Sequence, residues 1–302
     1  MKAARIHEFG PSDRLQVEDT PRPKPQEGEL LVAVRSAGIN PVDWKIREGK
    51  LGRMPQPPFT SGQDFAGTVL EVTGASGAYS PGERVFGFVR GAYAEFAVAR
   101  PEEIARVPDG VAFETAAALP TPGCTAVQML RAAGIHAGSR VLVQGAGGSV
   151  GSLAVQLARR AGAEVAATAL GGDIGYVASL GADPVIDNAG ERFEEMVREL
   201  DAVVDLIGGE LQLRSLAVLR PGGVLVSSVG VPYADEAERR EVRTVAFLMQ
   251  RSAPDLINLA HMAEAGELRV RIARVLPFPE VREAQELSQH GHASGKIILR
   301  VA

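Results

Sequence analysis

Val141-Leu-Val-Gln-Gly-Ala-Gly-Gly-Ser-Val-Gly-Ser-Leu-Ala-Val-Gln-Leu-Ala158 is an apolar run that meets a glycine cluster and leaves it with helical patterning. A helix N-terminus offers unpaired N–H groups and the positive end of a dipole to an anion. Glycine lets the backbone approach a pyrophosphate where a Cβ would collide. The spacing departs from G-x-G-x-x-G, because glycines stand at 145, 147, 148 and 151 and Val150 takes the third glycine's place. No Gly-Lys-Ser/Thr follows, which excludes a phosphate loop of the nucleoside triphosphatase kind. An apolar strand before the loop and a helix after it favour a dinucleotide site over a plain tight turn.

The flanks extend this pattern. Strands are predicted over 140–144, 164–169, 184–187, 202–207 and 223–229, alternating with helices over 150–161, 176–180, 192–199 and 211–219. Apolar strands between helices read as a parallel sheet covered on both faces, doubly wound by right-handed crossovers. Downstream, 242–250 reads as a further strand, 254–265 as a helix, 269–275 as a strand, 281–289 as a helix and 296–301 as a last strand. Upstream the grammar differs. Residues 1–110 carry short β-like runs (30–36, 66–72, 82–87, 93–98) among many Gly and Pro breaks, as in an irregular barrel or sandwich. Helices are expected over 114–119 and 125–133, interrupted at Pro120-Thr-Pro-Gly123. The last strand has no place in the parallel sheet, so the economical arrangement returns it to the first part of the chain.

A chain of 302 residues with 45% hydrophobic and 23% charged residues is ordinary for a globular protein of one large or two medium domains. A net charge of −5 gives no indication of a nucleic-acid partner. No stretch is long and apolar enough to span a bilayer. Met1–Glu8 lacks the apolar core of a secretory signal and is expected to form the first strand. One cysteine, Cys124, allows no internal disulfide and no cysteine-based structural zinc, and a reducing cytoplasm is the expected location.

Several blocks carry a family resemblance. They are Ala37-Gly-Ile-Asn-Pro-Val-Asp-Trp-Lys-Ile-Arg-Glu-Gly49, Ser61-Gly-Gln-Asp-Phe-Ala-Gly-Thr-Val69, Pro81-Gly-Glu-Arg-Val-Phe-Gly87, Ala116-Ala-Ala-Leu-Pro120, Cys124-Thr-Ala126, the glycine loop, Leu180-Gly-Ala-Asp183 and Gly295-Lys-Ile-Ile-Leu299. In this order the chain resembles the medium-chain dehydrogenase/reductase superfamily, and within it the zinc-free quinone oxidoreductase and alkenal/enone reductase branch. The resemblance implies an α/β fold in which a Rossmann domain (113–266) is inserted in a small, mainly β, GroES-like catalytic domain (1–112 and 267–302). It implies an active site in the cleft between them and a homodimer formed by strand addition at 242–250. Zinc-containing relatives carry cysteine near Asn40 or Pro41, histidine at Gln63 and cysteine near Thr121, so the resemblance implies no metal here.

Without zinc, hydride delivery to an enone or a quinone leaves a delocalised oxyanion that needs placed donors. The resemblance makes Asn40 and Lys45 the candidates, with Asp43 positioning Lys45 or binding a cofactor hydroxyl. The plain alternatives are a turn cap for Asn40 and solvated surface charges for Asp43 and Lys45. For the cofactor, it places Thr125 near the nicotinamide and Gly145, Gly147, Gly148, Ser149 and Val150 at the pyrophosphate. Asn188 falls near the adenosine, and Ile207 and Gly208 at the crevice end of the fourth strand. Phe247 faces the cofactor or belongs to the sheet core. No acid ends the second strand, where an NAD site would hold the ribose 2′-OH, and this favours NADPH. No Arg or Lys occurs from 161 through 190, which leaves Thr168, Tyr176 and backbone N–H groups to meet a 2′-phosphate. The expected activity is NADPH-dependent, zinc-independent reduction of a small quinone or an α,β-unsaturated carbonyl. Its rivals are a pathway-specific enoyl reductase, as in polyketide biosynthesis, and a low-turnover NADPH-binding sensor or structural protein.

Overall fold

A computed structural model describes every residue except Arg53, 75–77, His292 and Ala302. The chain forms two units, Met1–Thr121 with Arg251–Ala302, and Pro122–Gln250.

The first unit begins with β1 (Lys2–Ile6), β2 (Leu15–Asp19), β3 (Leu30–Gly38), α1 (Pro41–Arg47), β4 (Phe59–Thr60), β5 (Asp64–Val72), β6 (Arg84–Val89), β7 (Phe96–Arg106) and α2 (Phe113–Ala117). β1 pairs antiparallel with β2 and β4. β3, β5, β6 and β7 pair antiparallel in turn, and β7 also pairs with β3, which closes the four strands on themselves. Closure removes free edges and gives Val32, Val34, Phe65, Val69, Val85 and Ile104 a shared buried interior. The strand expected at 93–98 starts later and runs to Arg106. Pro101 does not end it, because a register shift between the Val89–Ala99 and Gly87–Ile104 pairs takes the proline out of regular ladder bonding.

The second unit holds nearly all of α3 (Pro120–Ala133), then β8 (Arg140–Gln144), α4 (Ser149–Arg160), β9 (Glu164–Ala169), α5 (Ile174–Ser179), β10 (Val185–Asp187), α6 (Phe193–Met196), β11 (Leu200–Asp205), α7 (Glu210–Leu216), β12 (Leu219–Ser227), α8 (Ala234–Arg239) and β13 (Arg243–Ala246). Its strands pair in parallel in the order β10-β9-β8-β11-β12-β13. Numbered within the sheet this is 3-2-1-4-5-6, the doubly wound order that opens a crevice between the first and fourth strands.

The chain then returns to the first unit with α9 (Ala253–Glu264), β14 (Ile272–Pro277), α10 (Val281–His290) and β15 (Lys296–Arg300). β15 pairs parallel with β14 and antiparallel with β3, so the last strand does rejoin the N-terminal sheet. The arrangement is the expected one: a doubly wound parallel sheet and a separate, mainly β unit.

Local differences have physical causes. The first unit takes more chain than boundaries at 112 and 267 assign it, because α2 packs on β3 and β5 and α9 packs on β7. α3 starts at Pro120 rather than after the prolines, since the first helical turn has no N–H partners for proline to remove. The helix expected over 192–199 is four residues long. The strand expected over 242–250 is also four residues long, Arg243–Ala246.

Candidate active site

In the first unit the site is built around the start of α1. Asn40 caps the helix and Pro41 opens it. Asp43, at the third helical position, accepts the Asn40 backbone N–H at 2.8 Å through Oδ2. The same oxygen accepts the Tyr93 hydroxyl at 2.5 Å. Tyr93 reaches it across Gly62, where a Cβ would lie 2.4 Å from the tyrosine ring. Burial pushes the Asp43 carboxyl up to about 7, against the lowering effect of these two donors. Burial and the adjacent Asp43 charge hold the Tyr93 hydroxyl well above its ordinary range, so it remains a donor. The other end of α1 is fixed by fully buried Arg47, which donates to Gln285 and Gln289 of α10, each at 2.7 Å, and to Gly10 O at 3.2 Å.

Asn40 is itself buried, and its Oδ1 accepts a short hydrogen bond from Lys296 Nζ on β15. Lys296 also contacts Asp64 Oδ2 at 3.2 Å, and Asp64 is held by the Thr121 hydroxyl at 2.6 Å and the Thr121 N–H at 3.1 Å. Asn40 Nδ2 is buried with no hydrogen-bond partner among the described residues. A cavity of about 670 Å³ lies in this unit, lined by Asp43, Ile46, Phe59, Ser61, Gln63 and Arg251 among others.

The structure brings Asn40 and Asp43 together and leaves Lys45 apart. Asp43 does not position Lys45, because its bonds go to Asn40 and Tyr93 and residues two apart on a helix face different ways. Lys45 is half-buried, with Nζ 5.6 Å from the Trp44 ring centroid; of the three candidates only Asp43 is among the residues lining that cavity. The positions at which zinc relatives carry ligands are otherwise engaged. Gln63 accepts from Arg251 at 3.0 Å, and the Thr121 hydroxyl donates to Asp64 at 2.6 Å. Among the described residues no three His, Cys, Asp or Glu side chains stand together as a metal site.

In the second unit the glycine loop joins β8 to α4 at the crevice end of the sheet. Gly145 has a φ of +75°, and a Cβ there would lie 2.8 Å from Ile207 Cδ1. A Cβ on Gly151 would lie 2.3 Å from Gly145 O, so helix and loop touch through glycine. Gly148 caps α4 without a side-chain bond, and the first turn with Ser149 and Val150 contains no acid. The cradle fits a pyrophosphate: close backbone, open N–H groups and a positive helix end. Thr168 Oγ1 accepts the Gly145 N–H at 3.3 Å, so this hydroxyl shapes the loop. Asp205 accepts from the Ile207 and Gly208 N–H groups at 3.0 and 2.8 Å, which folds the turn after β11. Thr125 is buried in α3, Tyr176 lies in α5, and Asn188 follows β10 with its Oδ1 buried and unpartnered. Phe247 extends the edge ladder through its N–H to Ser227 O at 2.8 Å, and two strands separate β13 from β8.

Asp173, four residues beyond β9, folds back so that a Cβ on Gly147 would lie 2.4 Å from its carboxylate. Sequence reading missed Tyr93, Asp64, Thr121 and Lys296, which lie 50 to 256 residues from their partners in sequence. The only signal was the presence of Ser61–Val69 and Gly295–Leu299 among the family blocks.

A GroES-like unit joined to a doubly wound sheet with a dinucleotide cradle defines an oxidoreductase of the medium-chain dehydrogenase/reductase class. Residues 26–109 match the alcohol dehydrogenase GroES-like domain family, and residues 180–299 match the zinc-binding dehydrogenase family. The quinone oxidoreductase of Pongo abelii is 31% identical, over 99% of this chain and 97% of that protein. The chloroplastic NADPH-dependent alkenal/one oxidoreductase of Arabidopsis thaliana is 31% identical, over 99% of this chain and 79% of that protein. The solved quinone oxidoreductase of Coxiella burnetii superposes with a TM-score of 0.93 at 32% identity, covering 100% of this chain and 99% of that one. The chain belongs to the quinone oxidoreductase and alkenal/one oxidoreductase branch of the medium-chain dehydrogenase/reductase superfamily.

Proposed function

We propose that the protein reduces quinones or α,β-unsaturated carbonyls with NADPH and without zinc. The observation that carries this reading is Asn40 Nδ2, a buried donor with no acceptor among the described residues. When bound, NADPH supplies the hydride, and with it two electrons, to the conjugated carbon or the quinone. Asn40 Nδ2–H donates to the oxygen that becomes the enolate or hydroquinone anion; Lys45 is the second donor on the family resemblance alone, since it does not line the cavity. One such donor contributes about 2.7–4 kcal/mol to the transition state. Solvent supplies the proton that completes the reduction, and Asp43 holds the Asn40 backbone in place.

The glycine loop with Thr125, Ser149 and Val150 is the proposed nucleotide site, Asn188 and Tyr176 lie toward the adenosine, and Ile207, Gly208 and Phe247 line the remainder. NADPH is supported by the lack of an acid at the tip of β9 itself and by the name of the Arabidopsis relative; Asp173, four residues further on and folded against Gly147, works against it. The setting is the cytoplasm, where the lone, buried Cys124 stays reduced.

The test is NADPH oxidation, with NADH in parallel, against a panel of alkenals, enones and quinones. Saturable turnover supports the reading, and the best acceptor separates enone from quinone chemistry. Tight binding without turnover counts against it, and so does failure to bind either nucleotide. Lys45→Ala is expected to lower kcat/KM with several acceptors; unchanged turnover removes Lys45 from the mechanism.

A further inference from the structure

We infer that Lys296 is a positioning residue that makes Asn40 a one-way hydrogen-bond donor. The inference rests on the reading of Asn40 as the oxyanion donor. A primary amide is nearly symmetric in shape, so packing alone does not decide which end is oxygen and which is nitrogen. An ammonium group decides it, because it carries three donors and no acceptor. Only Oδ1 can face Lys296 Nζ, and that forces Nδ2 to the opposite side, where no acceptor among the described residues meets it. Buried donors are almost always paired, so Nδ2 is left available to an oxygen from outside the protein.

The backbone holds Lys296 in this role. Ile298 on β15 pairs with Gly38 on β3, and the Ile39 N–H bonds Ile297 O at 2.9 Å, which sets Lys296 beside Asn40. The lysine stem runs over Gly38, where a Cβ would lie 2.8 Å from Lys296 Cε and 2.5 Å from Ala117 O. Any larger residue at 38 displaces the stem or the backbone. Nζ is then steadied by Asp64, which Thr121 grips through both its N–H and its hydroxyl. The Lys296 side chain is 3% exposed and the Asp64 side chain 0%, so water does not compete for these bonds. A chain running from Thr121 through Asp64 and Lys296 thus ends on the amide of Asn40.

A merely structural buried ion pair predicts lost stability; a positioning role predicts coupling to Asn40. The test is a cycle of wild type, Asn40→Ala, Lys296→Met and the double variant, assayed for kcat and for the KM of NADPH. Lys296→Met keeps the stem and removes the ammonium. It is expected to lower kcat by up to about 10²-fold, with the KM of NADPH little changed and the double variant no slower than Asn40→Ala. Unchanged kcat in Lys296→Met overturns the inference, and so do losses that multiply in the double variant. Should Lys296→Met fail to fold, Lys296→Gln enters the same cycle. A second readout needs no turnover: the Asn40 side-chain amide signals in ¹⁵N spectra, assigned by their loss in Asn40→Asp. They are expected to shift or broaden in the lysine variant, and unchanged signals overturn the inference. A wild type that reduces nothing removes the reductase reading, and the amide signals then decide the role of Lys296 alone.

Discussion

Asp43 shows what burial does to one residue. Its carboxyl is raised from 3.8 to about 7, so the folded protein keeps a proton that the unfolded chain gives up. The associated stability is therefore complete below about pH 4 and is lost as pH rises through about 7, with a slope of at most about 1.4 kcal/mol per pH unit. Asp43→Asn keeps an acceptor for Asn40 and Tyr93 and does not titrate. The melting temperature of Asp43→Asn relative to wild type is expected to rise from about pH 4 to about pH 8 and then level off. A difference independent of pH places the titration elsewhere. Asp173 acts at the other site. Its carboxylate lies against Gly147, so a 2′-phosphate bound beside it would meet a like charge. Asp173→Ala is expected to raise the ratio of kcat/KM for NADPH over NADH several-fold, by about 1 kcal/mol; an unchanged ratio removes Asp173 from cofactor choice. At this scale the sequence was partly legible. Asn40 and Asp43 stood in one motif, but the partners that define them do not. Tyr93 is 50 residues from Asp43 and Lys296 is 256 from Asn40, separations across which no local pattern reaches.

Elements were the most legible level, because their periodicity is local. The apolar runs of β8, β9, β11 and β12 and the helical segment after the glycine loop follow from alternation of buried strand and amphipathic helix. Segments whose fate depends on neighbours were less legible. α6 ends early because β11 begins at Leu200, where it pairs with Leu219. The glycine loop yields a prediction at this scale. Gly151→Ala brings a methyl group to 2.3 Å from Gly145 O and 2.7 Å from Ala146 Cα, both backbone atoms that cannot turn aside. The loop and α4 must separate, at a cost of about 1–3 kcal/mol. Thermal unfolding is expected to show that loss, and titration with NADPH a weaker affinity than wild type. Unaltered affinity in a destabilised variant assigns Gly151 to packing alone.

For the whole molecule, the doubly wound order was readable as a grammar of alternating elements, whereas the return of β15 to β3 followed from economy and resemblance. Pairing across 260 residues is set by tertiary packing. The same holds for assembly. β13 stands at the end of the parallel sheet, and its unpaired side presents backbone donors and acceptors to any second strand. Just beyond it Leu248 is 79% exposed, an apolar side chain at the end of that edge. Two copies related by a two-fold axis satisfy both features at once, since an isologous contact sets β13 against itself. A homodimer joined along this edge is therefore expected, with a mass by light scattering of twice the 31.8 kDa chain. Leu248→Lys places a charge in the seam of both copies and is expected to shift the population toward monomer at low protein concentration. A wild type that stays at the single-chain mass at every concentration overturns the dimer, and a Leu248→Lys variant that remains fully dimeric moves the interface to another surface.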